Sequence, residues 1–465
     1  MLQAGAASQL RVLVLGLGET GLSMVRWLSA LGAQLRVADS REQPPGLDAL
    51  RAEFPQLDVR CGTFRRELLE GVNLIAISPG VPMADPFVQK AVAQKIPVVG
   101  DIELFAQALP KENPPRVIAI TGANGKTTVT SMVGAMCRAA GLDTEVAGNI
   151  SPAVLDVLLR RQGKQPQVWV LELSSFQLET TYTLDADAAT VLNISEDHLD
   201  RYDDMAGYIA AKARIFRSSG KGGVQVLNRD DRESIAMALQ GRTHSTFGLN
   251  APARGTDDWG IEQEGADIWL TQGTQRLLKA SELQVTGLHN VANALAALAL
   301  CRAVGIPLAP LLGSLHNFKG LPHRVEKVAE VKGVTYYDDS KGTNVGATEA
   351  ALRGLGRKAV VILGGDGKGQ DFTPLRDAVT QHARAVVLIG RDADKIAAVL
   401  QGCKVPLLSA RDMDDAVSLA GGAAQPGDAV LMSPACASFD MYRNYLHRAE
   451  VFIAAVRKLQ GEAAA

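Results

Sequence analysis

The chain has 465 residues, room for about two to four ordinary domains. Its 47% apolar and 21% charged residues are the balance of an ordinary soluble globular protein. A net charge of -2 excludes a global pull toward nucleic acid or an anionic membrane, so an anionic ligand must be held by local cations and helix N-termini. Cys61, Cys137, Cys301, Cys403 and Cys436 are scattered, odd in number and form no CxxC pair. Neither a disulfide framework nor a zinc site is indicated, and a reducing cytoplasm is expected. The opening MLQAGAASQL has no charged region leading into an apolar core, so no secretory leader is expected. The longest apolar runs are of strand length, so no membrane span is expected.

In chain order, Val12 to Leu15 reads as a strand, Thr20 to Leu31 as a helix, and Leu35 to Ala38 and Leu74 to Ser78 as further strands. Strands alternating with helices imply βαβ units and a mostly parallel sheet. Pro110, Pro114 and Pro115 then push the residues before them out of helix, which marks a linker. A second series starts with Val117 to Ile120 and continues through Val168 to Leu171 and Ala188 to Leu192. Residues 240–285 are turn-rich, with short alternating stretches such as Asp267 to Leu270, and read as a small antiparallel insertion. An Ala/Leu-rich helix follows over Asn290 to Val304, and a second boundary falls around Leu321-Pro322-His323-Arg324. Beyond it, Val360 to Leu363, Ala385 to Ile389 and Ala429 to Met432 each run into a Gly or Ser-Pro turn. The expected architecture is α/β in three consecutive domains. These are a Rossmann-like N-terminal domain over 1–114, a central P-loop mononucleotide-binding domain over 115–321, and a Rossmann-like C-terminal domain over 322–465.

Gly16-Leu17-Gly18-Glu19-Thr20-Gly21 fits G-x-G-x-x-G directly after a strand, and Asp39 lies 18 residues beyond Gly21 at the end of the next one. Such glycines let the backbone approach a phosphate that the helix N-terminus attracts. The pattern does not separate NAD from another nucleotide diphosphate, nor either from a plain tight turn. A nicotinamide dehydrogenase is one reading, although no nearby catalytic set supports hydride chemistry.

The strand Val117 to Ile120 runs into Thr121-Gly122-Ala123-Asn124-Gly125-Lys126-Thr127-Thr128, and a helix follows with Val129, Met132, Val133 and Met136 on one face. Loop N–H groups would wrap a β-phosphate, Lys126 would reach the β/γ oxygens and the Thr127 hydroxyl would ligate Mg²⁺. The usual pattern has a glycine where this chain has Ile120, so the loop is a shorter form. Downstream, the strand Val168 to Leu171 ends in Glu172, the place for a Mg²⁺ ligand or water positioner. A simple strand-end carboxylate is the competing reading. The block Asn193-Ile194-Ser195-Glu196-Asp197-His198 follows another strand, and His198 is either a metal ligand or a hydrogen-bonded structural residue. Lys212, within Ala210-Ala211-Lys212-Ala213-Arg214, reads on its own as a solvated helix lysine.

Together these blocks resemble the Mur ligases, the ATP-dependent amide ligases of peptidoglycan precursor synthesis. The resemblance spans essentially the whole chain. It runs from TGANGKTT through Gly148-Asn149-Ile150, ELSSFQLE from Glu172, NISEDHLDRY and GLHNVANALAA from Gly287. LPHR from Leu321, DDSKGTNVGAT from Asp338, LGGDGKGQDF from Leu363 and SPACASFD from Ser433 complete it. The serine-lysine-threonine arrangement of DDSKGTN resembles the D-glutamate-adding branch. The resemblance implies UDP-N-acetylmuramoyl-L-alanine and D-glutamate as substrates, and ATP with two Mg²⁺ ions. A monomer and a cytoplasmic location, with neither nucleic acid nor membrane as partner, complete the expectation.

It also implies roles for particular residues. Thr20, Asp39, Arg41 and Gly80 would hold the uridine diphosphate, with Asn149 and His198 on the rest of that substrate. Gly122, Asn124, Gly125, Lys126, Thr127, Thr128, Asn290, Arg324 and Asp339 would hold ATP. Thr127, Glu172, His198 and Lys212 (the last as a carbamate) would hold metal. Lys126, His198, Lys212 and Arg324 would act in catalysis. Lys341, Thr343, Lys368, Ser438, Phe439 and Tyr445 would form the D-glutamate pocket. The implied reaction makes an acyl phosphate, which water would hydrolyse. Closure is therefore expected, with hinges near 110–116 and 320–324.

Overall fold

A computed structural model describes residues 9–197, 201–218, 220, 222–253 and 255–464. The described residues build three sheets in succession. The first contains β1 (Arg11–Leu15), β2 (Gln34–Asp39), β3 (Asp58–Cys61), β4 (Leu74–Ile77) and β5 (Val98–Val99), in the order β3-β2-β1-β4-β5 and parallel throughout. The central strands β1 and β4 are buried almost end to end, as expected where helices cover both faces. The strand order reverses between β1 and β4, and the glycine turn leaves the carboxyl end of β1 at that switch point. The helix Glu19–Ala30 starts there, and a Cβ on Gly21 would overlap the Gly16 carbonyl, so only glycine lets helix and turn approach so closely.

The second sheet contains β6 (Arg116–Thr121), β7 (Thr144–Gly148), β8 (Val168–Glu172), β9 (Ala188–Val191), β10 (Val224–Asn228), β11 (His244–Phe247), β12 (Trp259–Glu264), β13 (Asp267–Gln272) and β14 (Gln275–Lys279). Its order is β14-β13-β12-β11-β10-β9-β6-β8-β7. The antiparallel pairing expected within residues 240–285 is present in β12–β14, but these strands extend the central sheet. Phe247 and Trp259 pair in parallel, and β12, β13 and β14 continue the central sheet as an antiparallel meander. The buried Phe247, Trp259 and Leu270 join the main core, which explains the continuity better than local turn chemistry does.

The third sheet contains β15 (Glu326–Val331), β16 (Val334–Asp338), β17 (Ala359–Leu363), β18 (Ala383–Leu388), β19 (Leu407–Ser409) and β20 (Ala429–Met432), in the order β15-β16-β20-β17-β18-β19. All pairs are parallel except the β15–β16 hairpin. Among the described residues no helix is long and apolar enough to cross a membrane.

Candidate functional site

The phosphate loop joins β6 to the helix Lys126–Ala139. Ile120, which stands where the longer loop form has glycine, is a fully buried strand residue, and the strand runs on through Thr121, so the loop begins only at Gly122. Gly125 has φ +83°, and a Cβ there would lie 2.6 Å from Asn293 Oδ1, so the loop needs glycine for both conformation and space. Lys126 Nζ donates to the Gly122 and Ala123 carbonyls, each at 2.8 Å. Burial holds its pKa below the usual lysine value. The loop is pinned to the following block by Asn193, whose Oδ1 accepts from Asn124 N–H at 2.8 Å and whose Nδ2 donates to Asn124 O at 3.1 Å.

Glu172 ends β8 beside this loop and is buried. Its Oε1 accepts from Asn149 Nδ2 at 2.9 Å, while Oε2 has no hydrogen-bond partner among the described residues. A buried carboxylate oxygen without a partner is costly unless a cation completes it. Lys126, Lys212 and Arg324 all sense the Glu172 charge.

The solvated-lysine reading of Lys212 is overturned. Its side chain is buried in the helix Met205–Ala213. Nζ donates to Gly122 O at 2.9 Å and stands 4.7 Å from the Tyr208 ring centroid. Burial, reinforced by the nearby Lys126 cation, drives its pKa well down. His198 lies outside the described residues.

Two cavities flank this centre. One of 260 Å³ lies between the first and second sheets, lined by Gly18, Thr20, Gly80, Asn149, Ser151 and Gln177 among others. Asp39 and Arg41 lie outside its lining. Asp39 is buried and anchors the glycine turn, its Oδ2 accepting from Leu17 N–H at 2.7 Å and its Oδ1 from Arg41 Nε at 2.8 Å. Burial opposes ionisation of Asp39, yet the hydrogen bonds from Arg41 and Leu17 win and hold its pKa below the usual carboxylate range.

The other cavity, of 170 Å³, lies between the second and third sheets. Asn124, Gly125, Thr128, Asn290, Arg324, Asp339 and Lys341 line it. Asn290 Nδ2 donates to Thr286 O at 2.7 Å, which fixes its side chain at the start of the helix Leu288–Ala303. Arg324 Nη2 donates to Thr127 Oγ1 at 2.8 Å, so the third domain touches the phosphate loop directly. Burial lowers the Arg324 pKa from its usual value. Burial likewise raises Asp339 to about 7, against the hydrogen bond it accepts from Ser433 Oγ at 2.6 Å. Lys341, brought down to about 8 by burial, stands 4.0 Å from the Tyr445 ring centroid. Ser438 is buried, Lys368 is exposed and Phe439 is 70% exposed. Thr343 N–H donates to Lys341 O at 2.8 Å. Thr343, Lys368, Ser438, Phe439 and Tyr445 do not line the 170 Å³ cavity.

Sequence reasoning missed several contributors. Asn344 Nδ2 donates to Asn124 Oδ1 at 3.1 Å across the second seam, and Gln177 lines the first cavity. Both sit inside blocks already singled out, DDSKGTN and ELSSFQLE, so their position was available though their partners were not.

The three sheets coincide with three family models: the MurD-like N-terminal domain of Mur ligases over residues 10–100, the Mur ligase middle domain over 120–301, and the Mur ligase glutamate ligase domain over 323–436. The UDP-N-acetylmuramate-alanine ligase of Thermotoga maritima shares the fold at a TM-score of 0.58 and 20% identity, covering 96% of this chain and 99% of that one. Three domains of this kind around a phosphate loop define the chain as a ligase, and it belongs to the Mur ligase family. Within the family it groups with the UDP-N-acetylmuramoylalanine--D-glutamate ligases. That of Nitrosospira multiformis is 60% identical over 97% of this chain and 95% of the relative. That of Methylobacillus flagellatus is 58% identical over 97% of each.

Proposed function

We propose that the chain joins D-glutamate to UDP-N-acetylmuramoyl-L-alanine, using ATP, in peptidoglycan precursor synthesis, in the cytoplasm and as a monomer. The observation that carries this reading is the Glu172 carboxylate, buried at the end of β8 next to the strand that leads into the phosphate loop, with one oxygen unpartnered among the described residues. On this reading the domains are 1–114, 115–321 and 322–465, one for each substrate. Thr20, Asp39, Arg41 and Gly80 seat the uridine diphosphate, with Asn149 and His198 beyond them. Gly122, Asn124, Gly125, Lys126, Thr127, Thr128, Asn290, Arg324 and Asp339 hold ATP. Lys341, Thr343, Lys368, Ser438, Phe439 and Tyr445 receive D-glutamate.

The L-alanyl carboxylate attacks the γ-phosphorus, and ADP leaves with the bridging oxygen. The D-glutamate amine, as the free base, then attacks the acyl carbon, losing a proton as the amide forms, and inorganic phosphate departs. Lys126 and Arg324 face the transferred phosphoryl group and spread its charge. Glu172, Thr127, His198 and the Lys212 carbamate would hold two Mg²⁺, which would supply charge neutralisation at the β/γ oxygens. The donor set fits. Among the described residues Glu172 Oε2 has no hydrogen-bond partner, and the neutral form of the Lys212 amine is the one that adds CO₂, releasing one proton and leaving an anionic carbamate.

The test is phosphate release from ATP with UDP-N-acetylmuramoyl-L-alanine. Release should depend on D-glutamate, and equal release with L-glutamate, L-lysine or D-alanyl-D-alanine sinks the assignment. Lys212→Ala should lose activity that short carboxylates partly restore, and full activity in that variant would remove Lys212 from the mechanism.

A further inference from the structure

Asp101 opens the helix Asp101–Ala108, the last element of the first domain, and is 1% exposed. Its Oδ2 accepts from Gln177 Nε2 at 3.0 Å, across the seam to the second domain. Its Oδ1 has no partner among the described residues. Burial raises the carboxyl pKa to about 6, against the hydrogen bond from Gln177 and smaller contributions from the Ile102 and Asp101 backbone N–H groups at the helix start. A carboxylate so buried is a standing cost to the fold.

Gln177 explains what it does. Its other end caps the short helix Ser175–Glu179: Oε1 accepts from Ser174 N–H at 3.1 Å and from Ser174 Oγ at 3.2 Å, and Gln177 N–H donates to Ser174 Oγ at 3.2 Å. Ser174 stands two residues beyond Glu172, and Gln177 lines the 260 Å³ cavity. One amide thus ties the strand end that presents Glu172 to the wall of the first cavity. A capping box accepts Glu or Gln equally well at this position. Asp101 breaks the tie, because a carboxylate only accepts. It needs an N–H opposite it, so it selects Gln177 over Glu and leaves its amide a single orientation.

We propose that Asp101 is a positioning residue for the reaction, fixing the Gln177 amide so that the Glu172–Ser175 segment and the wall of the first cavity are held in one arrangement. This rests on the reading that Glu172 serves the reacting centre and that the cavity takes the uridine nucleotide substrate.

The test exchanges the two ends of the hydrogen bond. In Gln177→Glu two carboxylates face each other while the cap at Ser174 keeps its acceptor. Turnover should fall about 10-fold or more, and calorimetric affinity for UDP-N-acetylmuramoyl-L-alanine, measured without metal or ATP, should weaken. Adding Asp101→Asn to that variant places an amide N–H opposite the new carboxylate and should restore both. Asp101→Leu, which fills the space without accepting, should behave like Gln177→Glu. Thermal melts of every variant separate folding from positioning. If the double variant shows no recovery, or if Gln177→Glu shifts only the melting temperature and leaves kcat, KM and affinity of the folded enzyme at wild-type values, the proposal is wrong. If the wild type itself does not turn over D-glutamate but binds the uridine nucleotide in an Asp101-dependent way, the functional reading fails and the positioning role stands.

Discussion

The two seams flanking the central domain are built on different physics. At the first, one buried apolar cluster runs through both domains, taking Val12, Val14, Ile102 and Phe105 from one side and Val117, Trp169 and Leu171 from the other. Phe105 meets Trp169 edge-on at 4.9 Å between ring centroids. Buried or half-buried polar contacts reinforce it: Asp101 with Gln177, and Glu103 accepting from the N–H groups of Tyr182 and Thr183 at 2.7 and 2.8 Å. At the second seam the apolar clusters stop on either side: the helix Leu288–Ala303 meets the helix Val345–Gly354 at Gly287, His289 and Gly354, and the side-chain hydrogen bonds at the cavity wall run from Arg324 to Thr127 and from Asn344 to Asn124. Apolar burial is non-directional and hard to open, whereas a few hydrogen bonds exchange readily with water. From this difference we propose that the linker near 320–324, rather than the one near 110–116, is the hinge, with the first domain as a fixed seat and the third domain closing over the phosphate loop.

The largest expected effect strikes the shared core. Phe105→Ala should cost about 3–5 kcal/mol of stability, and in a denaturant titration the first and second domains should unfold together. Separate transitions for the two would break the comparison. Next comes Asp101. The unfolded carboxyl titrates near 3.8 and the folded one near 6, so between these values the folded state retains the proton. Stability therefore falls as pH rises through that window, and Asp101→Asn should escape the fall. The variant's advantage should be absent below pH about 3.8 and reach roughly 3 kcal/mol at most above pH 6. A pH-independent difference between the two melting curves would contradict the burial argument.

The smallest effect on stability belongs to the second seam. Asn344 caps the helix Val345–Gly354 through Ala347 N–H at 2.9 Å and also reaches Asn124. Asn344→Ser keeps a capping oxygen but is too short to reach Asn124, so melting should move by no more than about 0.5 kcal/mol. KM for ATP should nonetheless rise by about 2- to 10-fold, the worth of one hydrogen bond across the seam that lines the second cavity. An unchanged KM would show that this contact does not belong to the closing seam.

Much of this was legible in the sequence, because glycine turns, strand-end carboxylates and the Gly125-Lys126-Thr127 loop are local patterns with local causes. Lys212 was not. A lysine in an Ala-rich helix looks solvated until the fold places it against Gly122 and Tyr208. Asp101 was silent for the same reason, since its partner Gln177 is 76 residues away. Residues 240–285 showed their turns but not their place, because the turns are local while their pairing into the central sheet is set by burial of Phe247 and Trp259.

The central claim is that the first cavity delivers a carboxylate to the phosphate loop beneath the closing third domain. It is tested most directly by supplying UDP-N-acetylmuramoyl-L-alanine labelled with ¹⁸O in the alanyl carboxylate, together with ATP and D-glutamate. The account predicts that one labelled oxygen appears in each inorganic phosphate released. Phosphate free of label, with both labelled oxygens lost to water or kept elsewhere, would contradict it.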